Sequence, residues 1–413
     1  MTRKCPFFAF IVFTLLLAAC AAKPSVKPFI DHVPARPYTE SDYQREPVSG
    51  KTAIDYLRDE KIVCGWNLGS TMDAHMNGIA FETAWSNPAV NQELMNGVKA
   101  AGFDIIRIPI TWMGNFGSAP DYRIMTNYLK RAAEIIGMAR NAGLKVIINM
   151  HHDGATETGG KDTGWLSVAR ASLNQAQYEA ITAQYARIWQ QIAIYFKNYG
   201  DWLIFESFNE LHDGSWQNAG DFRYLLTVNK WNQVFVDAVR STGSNNETRY
   251  LMTGAYCNDN HQALSPAFAL PQDTAADKLI VSFHYYYPSN FTLNSRSASW
   301  GTPADKEKVE SDFAPFKEKF IDKNIPVIIG ECGAVLQLYP GDPAKETQAR
   351  QSRFEYIPYV FSAAKKYGLI PVYWDNGVTS GNYEKFGLLN RLNGQSNSQD
   401  SGALVKLMIS AVK

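Results

Sequence analysis

The sequence predicts a single (β/α)8 barrel with its active site at the C-terminal ends of the strands. Short apolar runs rich in β-forming residues alternate with longer helical patterns, as in parallel strands joined by helices. The runs are almost continuously apolar, which is typical of strands buried on both faces. Eight runs follow one another: Ile62–Leu68, Ile105–Ile110, Val146–Met150, Trp202–Phe208, Tyr250–Thr253, Leu279–Phe283, Val327–Ile329 and Pro371–Trp374.

The helical patterns between these strands are Asn91–Ala101, Tyr128–Ala142, Tyr178–Tyr199, Tyr224–Arg240, Lys306–Asp322 and Ser352–Tyr367. Four glycines stand where a helix commonly ends in a left-handed residue: Gly102, Gly143, Gly200 and Gly368. A doubly wound sheet is the alternative for this alternation. A nucleotide-binding sheet of that kind should have a glycine-rich turn after its first strand, and residues 67–71 lack the G-x-G-x-x-G pattern.

The composition excludes two classes of protein. The 413 residues include 40 Lys and Arg and 40 Asp and Glu, so the net charge is zero. A nucleic-acid-binding protein needs a basic face, and we therefore expect no nucleic-acid partner. Hydrophobic residues make up 46% of the chain, which excludes a disordered protein. We expect a monomer.

Residues 1–19 have the features of a lipoprotein signal peptide. Arg3 and Lys4 precede an apolar run that is too short to span a bilayer as a helix. The stretch Leu17–Cys20 resembles a lipobox, which predicts cleavage before Cys20 and lipidation of that cysteine. The alternative is an ordinary signal peptide in which Cys20 has no role.

The proline-containing residues 20–45 are predicted to be a flexible tether, and residues 46–413 a globular domain. Lipidation would place the protein in the outer membrane, facing either the cell surface or the periplasm, because Ala22 replaces the Asp that retains some lipoproteins at the inner membrane. The cysteines that remain are odd in number and cannot all pair with one another: Cys64, Cys257 and Cys332.

Polar side chains follow six of the predicted strands. Since parallel strands of a barrel end at one mouth, these side chains should converge there. They are Arg107, His151, His152, Asn209, Glu210, His284, Tyr286, Glu331 and Trp374.

Two carboxylates at one mouth fit a glycosidase best, in which one group is protonated at rest and the other is ionised. Glu210 after the fourth strand suits the acid/base, and Glu331 after the seventh suits the nucleophile. Arg107 would hold Glu331 ionised through its charge, and Tyr286 would donate a hydrogen bond to the same carboxylate. The alternatives are a surface or capping role for Glu210 and a helix-start charge for Glu331.

Other polar residues near the mouth have simpler explanations. Glu206 lies within a strand, which favours a buried, hydrogen-bonded structural carboxylate. Asp153, Asp213 and Asp375 could bind sugar hydroxyls or cap loops. The adjacent pair of histidines points to opposite sides and no H-E-x-x-H motif occurs, so we expect no metal and no other cofactor.

Tryptophans are concentrated at the predicted mouth. Aromatic rings there can stack on the apolar faces of sugars, and Trp374 is the best candidate platform beside the cleaved bond. Apart from Trp374, each of them could be either a platform or part of the core. Seven are predicted at strand ends or in mouth loops: Trp66, Trp85, Trp112, Trp165, Trp216, Trp300 and Trp374.

Together these residues resemble glycoside hydrolase family 5, and most closely its subfamily 4. The resemblance extends from about residue 46 to the C-terminus. The matching motifs are Gly65–Gly69, Glu82–Trp85, Ala101–Phe103, Ile106–Pro109, Met150–His152, Phe208–Glu210, His284–Tyr286 and Gly330–Glu331. The chain departs from the common pattern at Ser86, where Gly is frequent, and at Cys332, where Phe is frequent.

The resemblance implies a retaining, endo-acting β-1,4-glucanase that needs no cofactor and binds cellulose-type chains, mixed-linkage β-glucan or xyloglucan. Glu210 would be the acid/base and Glu331 the nucleophile. The subsite at the cleaved bond would be lined by Arg107, His151, Asn209, His284, Tyr286 and Trp374, with a looser match at His152.

Two alternatives remain open. The reacting residues do not encode the stereochemistry at C2 of the sugar, so a β-mannanase of the same fold is possible. The other is a surface glycan-binding lipoprotein on an inactive barrel, although a binding protein has no need of both carboxylates.

Overall fold

The computed structural model describes residues 38–154, 164–216, 218–382 and 384–413. The proposed signal peptide, the lipidated Cys20 and the first part of the tether lie outside these residues. Among the described residues, no helix has both the length and the apolar composition needed to cross a bilayer.

The central feature is a closed barrel of eight parallel strands, which confirms the predicted (β/α)8 fold. The strands are β1 Gly65–Leu68, β2 His75–Met76, β3 Ile79–Ala80, β4 Ile105–Ile108, β5 Lys145–Ile148, β6 Leu203–Glu206, β7 Leu251–Asp259, β8 Leu279–Tyr285, β9 Val327–Cys332 and β10 Leu369–Asp375, of which β2 and β3 form a separate hairpin. The barrel strands lie in the order β1-β10-β9-β8-β7-β6-β5-β4, with β4 paired to β1.

Helices surround the barrel and overlap all six predicted helical patterns. They are α1 Ala53–Asp59, α2 Gln92–Ala100, α3 Thr126–Asn141, α4 Val168–Leu173, α5 Gln175–Tyr195, α6 Phe222–Arg240, α7 Asn260–Leu264, α8 Ser289–Thr292, α9 Pro303–Lys319, α10 Pro343–Lys366 and α11 Gln399–Val412, with 3-10 turns at Ser244–Glu247 and Ile321–Lys323. Gly102, Gly143 and Gly368 have positive φ as predicted. Gly200 does not, because α5 ends earlier, at Tyr195.

The barrel interior is apolar below and polar at the mouth. Buried isoleucines such as Ile105 and Ile204 form its lower layer together with Tyr56 of α1. Successive residues of a strand alternate between its faces. Two residues further along β4 and β6, the same inward faces therefore present Arg107 and Glu206 to the mouth.

Residues 38–45 pack against the barrel, which corrects the prediction of a tether through residue 45. The Ser41 hydroxyl donates to the Tyr195 carbonyl at 2.8 Å, and the Tyr43 ring stacks on Tyr199 with centroids 3.8 Å apart. Arg45 donates to the Asn245 side chain at 2.9 Å. The proline content of residues 20–45 predicted an extended segment. The contacts of Ser41 and Tyr43 were not predictable because their partners are distant in sequence and meet them only in the folded barrel.

Arg249 completes the hydrogen bonding of the segment after α5. Its buried guanidinium donates to the carbonyls of Phe196, Tyr199, Gly200 and Leu203 at 2.7 to 3.2 Å. The guanidinium therefore links the end of α5 to the start of β6.

We expect Arg249→Met to lower the free energy of unfolding by about 3–5 kcal/mol, because it removes the buried hydrogen bonds that the charged guanidinium donates to four carbonyls and to the Asn246 side chain. Urea denaturation followed by tryptophan fluorescence would measure this. Arg58→Met, at a largely exposed arginine, is the control. Equal urea midpoints for the two variants would contradict the assignment.

Candidate active site

Arg107 lies buried at the base of the mouth and binds residues from three other strands. Its Nε donates to Glu206 Oε2 at 2.7 Å, and one terminal nitrogen donates to Asn67 Oδ1 at 3.1 Å and to Glu331 Oε1 at 2.8 Å. The other donates to Asn209 Oδ1 at 2.9 Å. Glu206 is therefore a buried, hydrogen-bonded carboxylate, as predicted.

Glu331 stands at the end of β9 with a donor on each carboxylate oxygen. Arg107 binds Oε1, and the Tyr286 hydroxyl donates to Oε2 at 3.0 Å. Burial raises the pKa of Glu331 above its ordinary value; the imidazole of His284, in its protonated form, and the Arg107 guanidinium oppose this effect. Hydrogen bonds donated to both oxygens favour the ionised form of this carboxylate.

Glu210 has a different environment. Its pKa is raised to about 7, mainly by burial and to a smaller extent by the charges of Glu206 and Asp259, against the lowering effect of Arg107. His284 Nδ1 lies 2.6 Å from Glu210 Oε1, and burial lowers the pKa of this imidazole to about 4. A neutral histidine therefore faces a carboxyl group that can hold a proton at neutral pH.

The two carboxylates are close neighbours. One oxygen each of Glu210 and Glu331, together with a nitrogen of His284, all lie within 4.8 Å of one another. Glu210 can hold a proton, and Glu331 is a carboxylate bound by a guanidinium. Such a pair can protonate one atom of a substrate through Glu210 while Glu331 attacks another atom.

A cavity of about 880 Å³ opens above these groups. His151 and Trp374 form part of its wall, with parallel rings 5.8 Å apart. His152 lies next to His151, and its Nε2 is 3.8 Å from Asp73 Oδ2. All nine predicted site residues meet at this mouth; eight line the cavity, and Arg107 lies beneath it.

Three predicted mouth tryptophans belong instead to the core. Trp66 and Trp112 are fully buried and donate to the Asp375 carboxylate and the Asn149 carbonyl. Trp300 packs edge-on against Tyr356. The core alternative therefore holds for these three, which the sequence left open because a position near a strand end does not reveal which way the side chain points.

The remaining mouth tryptophans differ in exposure. Trp216 lines the cavity and is 58% exposed, while Trp85 is 40% exposed, with its ring 5.4 Å from that of His152. Trp165 donates to Asp153 at 2.8 Å.

The three loop aspartates accept hydrogen bonds from backbone N–H groups, as expected if they cap loops: Asp153 binds Trp112, Asp213 binds Ser215 and Asp375 binds Gly377.

Sequence reasoning missed residues on two elements. Asn67, fully buried, donates to the Gly330 carbonyl at 2.9 Å and accepts from Arg107. A polar residue inside an apolar run was the signal for it. Cys257, Asn258 and Asp259 line the cavity at the end of β7, which extends beyond the predicted limit of Thr253. No pattern in the sequence indicated that extension.

Comparison with known proteins settles the family. The family model described as cellulase (glycosyl hydrolase family 5) matches residues 70–380. The chain belongs to glycoside hydrolase family 5. It is 35% identical to endoglucanase A of Paenibacillus barcinonensis over 357 residues, which cover 81% of this chain and 85% of that protein.

Two further similar proteins support the family assignment. The xyloglucan-specific endo-β-1,4-glucanase of Bacteroides ovatus is 33% identical over 360 residues, covering 83% of this chain and 67% of that protein. The solved structure of the GH5-4 broad specificity endoglucanase from Bacteroides salanitronis is similar with a TM-score of 0.80 and 39% identity, covering 91% of this chain and 99% of that chain.

In the part of this glycoside hydrolase that the structure describes, two groups of residues could offer three donor atoms to a metal ion: Asp73, His151 and His152, and Glu210, His284 and Glu331. In the first group, backbone N–H groups already bind both oxygens of Asp73, at 2.7 and 2.9 Å. In the second, the Arg107 guanidinium would repel a cation next to Glu331. Independence from metal stays a prediction of the sequence.

We expect the Glu210 carboxyl to titrate near pH 7, because burial disfavours its charged form. It should be largely protonated at pH 5.5 and ionised at pH 8.5. Carbon NMR of protein labelled at the glutamate side chains would measure this, with Glu210→Gln identifying the signal. A Glu210 signal that titrates below pH 5 would contradict the assignment.

Proposed function

We propose that this enzyme is a retaining, endo-acting β-1,4-glucanase with Glu331 as nucleophile and Glu210 as acid/base. The pair of carboxylates carries the proposal. Retaining enzymes place their two carboxyl groups about 5 Å apart, whereas inverting enzymes leave about 6.5–9.5 Å for a water molecule. The oxygens of Glu210 and Glu331 that lie within 4.8 Å of each other support retention.

The reaction takes place in two steps. Glu331 Oε attacks the anomeric carbon while the bond to the leaving oxygen breaks, and Glu210 gives its proton to that oxygen. The ionised Glu210 then removes a proton from water as the water attacks the anomeric carbon, which releases Glu331 and restores the acid. Arg107 and Tyr286 hold the nucleophile in place through both steps.

The substrate proposed is a β-1,4-linked glucan, including the branched chain of xyloglucan. Parallel rings of His151 and Trp374 beside the carboxylates suit the flat faces of a glucosyl unit. Trp216 and Trp85 offer exposed rings for neighbouring units. The names of the relatives, endoglucanase and xyloglucan-specific endo-β-1,4-glucanase, support this choice.

We propose that Cys20 carries lipid and attaches the enzyme, a monomer, to the outer membrane. The lipobox-like stretch Leu17–Cys20 supports this placement. Long glucans cannot enter the cell, so an enzyme that cleaves them has to meet them outside the cytoplasm.

We expect the Glu331→Ala variant to lose at least about 10³-fold in kcat on every substrate, since it has no nucleophile. Reducing ends would be measured on carboxymethylcellulose, mixed-linkage β-glucan, xyloglucan and galactomannan. Wild type should cleave the three glucans, and Glu307→Ala, on the exposed face of α9, should match it. Cleavage of galactomannan alone would point to the β-mannanase alternative, and glucan binding without cleavage to the binding lipoprotein.

If Cys20 carries lipid, its replacement should move the protein from the membrane fraction to the soluble fraction. Full-length protein expressed in a bacterium should incorporate labelled palmitate and sediment with membranes, whereas Cys20→Ala should do neither. Cys257→Ala removes a cysteine that is buried in the barrel and is the matched control. Membrane association that is unchanged in Cys20→Ala would contradict the lipid anchor.

A further inference from the structure

The strand β7 contains a bulge beside Glu210. Its pairing with β8 advances from Gly254 opposite Ser282 to Asp259 opposite His284, so five steps along β7 correspond to two along β8. We call residues 255–258, which take up this difference, the β7 bulge. Bulges of this kind often redirect side chains next to active sites.

Two adjacent residues of the β7 bulge have left-handed backbones. Cys257 has φ 58° and Asn258 has φ 46°. Left-handed conformations are uncommon outside glycine, and asparagine tolerates them better than most residues do. Such conformations persist where the surrounding contacts hold them, often at functional sites.

The β7 bulge binds the backbone on both sides of Glu210. The amide nitrogen of the Asn258 side chain donates to the Asn209 carbonyl at 3.2 Å, and the Cys257 backbone N–H donates to the Leu211 carbonyl at 2.9 Å. The Leu211 N–H also donates to the Asn209 carbonyl, at 3.1 Å. Glu210 is therefore the central residue of a tight turn whose two flanking carbonyls are both held by the β7 bulge.

Gly254 makes this contact possible. A Cβ atom at residue 254 would overlap Oδ1 of Asn258, so the fully buried Asn258 amide packs directly on the glycine. The Gly254 carbonyl accepts from Asn232 at 2.9 Å, and Asn232 accepts from the Ser207 hydroxyl at 2.8 Å. The β7 bulge is thereby fixed to α6 and to the end of β6, the strand that leads to Glu210.

We propose that Asn258 is a positioning residue that holds the Glu210 carboxyl in line with the leaving oxygen of the substrate. This inference rests on the proposed function, in which Glu210 is the acid. Among the residues that the structure describes, the Glu210 side chain forms one hydrogen bond, to His284, whereas Glu331 accepts from both Arg107 and Tyr286. The direction in which the Glu210 carboxyl points therefore depends on its backbone, and the β7 bulge sets that backbone.

Dependence on the leaving group separates this role from a merely structural one. A poor leaving group such as a sugar needs the proton of Glu210, while an activated aryl group leaves without it. The ratio kcat/KM reports the steps up to formation of the glycosyl-enzyme. Loss of acid positioning should therefore lower kcat/KM for cellotetraose far more than for 2,4-dinitrophenyl β-cellobioside.

The test uses the Asn258→Gly variant, since glycine keeps the left-handed backbone and removes only the amide. We expect kcat/KM to fall about 10-fold on cellotetraose and less than about 2-fold on the aryl cellobioside. Asn258→Asp, nearly the same size, places an oxygen against the Asn209 carbonyl and should show the same pattern. Thr253→Val, a buried change on the same strand, should match wild type on both substrates.

The possible outcomes are distinguishable. An equal fall on both substrates in the Asn258 variants, or no fall on either, would overturn the positioning role while wild-type hydrolysis still supports the proposed function. A folded wild type that cleaves neither substrate would overturn the proposed function and this inference with it. A fall confined to cellotetraose in both variants, with the melting temperature measured in parallel, would establish the positioning role.

Discussion

The buried guanidinium of Arg107 is the contact on which the site depends. Removing a charged group from water is costly unless partners surround it, and Arg107 has two carboxylates and two amide oxygens as acceptors. Burial lowers its pKa, and Glu206 and Glu331 more than reverse this, so that its pKa lies above the ordinary value. The charge therefore persists, and the ends of β1, β4, β6 and β9 have to meet around it.

The same contact makes the two catalytic candidates different from each other. Arg107 binds Glu331 directly and does not hydrogen-bond to Glu210, which has His284 instead. The Arg107 charge favours the ionised form of Glu331, while burial lets Glu210 keep a proton near neutral pH. In the proposed mechanism, the acid and the nucleophile therefore differ because the buried guanidinium binds only one of the two carboxylates.

Much of this could be predicted from the sequence, and the failures have physical causes. The strands were visible because burial on both faces requires apolar runs, and Glu206 and Arg107 stood out as charges inside or beside such runs. The direction of a side chain near a strand end was not visible, so the sequence left open whether Trp66 and Trp112 belong to the mouth or to the core. The β7 bulge was also hidden, since Cys257 and Asn258 take their left-handed conformations from contacts with residues 209–211, which are distant in sequence.

In the proposed mechanism, Glu331 forms a covalent bond to the sugar while Glu210 supplies and then removes a proton. The stereochemistry of the first product distinguishes this mechanism from direct attack by water. Proton NMR recorded within the first minutes of hydrolysis of a cello-oligosaccharide would show which anomer is released before mutarotation. A covalent intermediate on Glu331 should give the β-anomer first, and initial release of the α-anomer would rule that intermediate out.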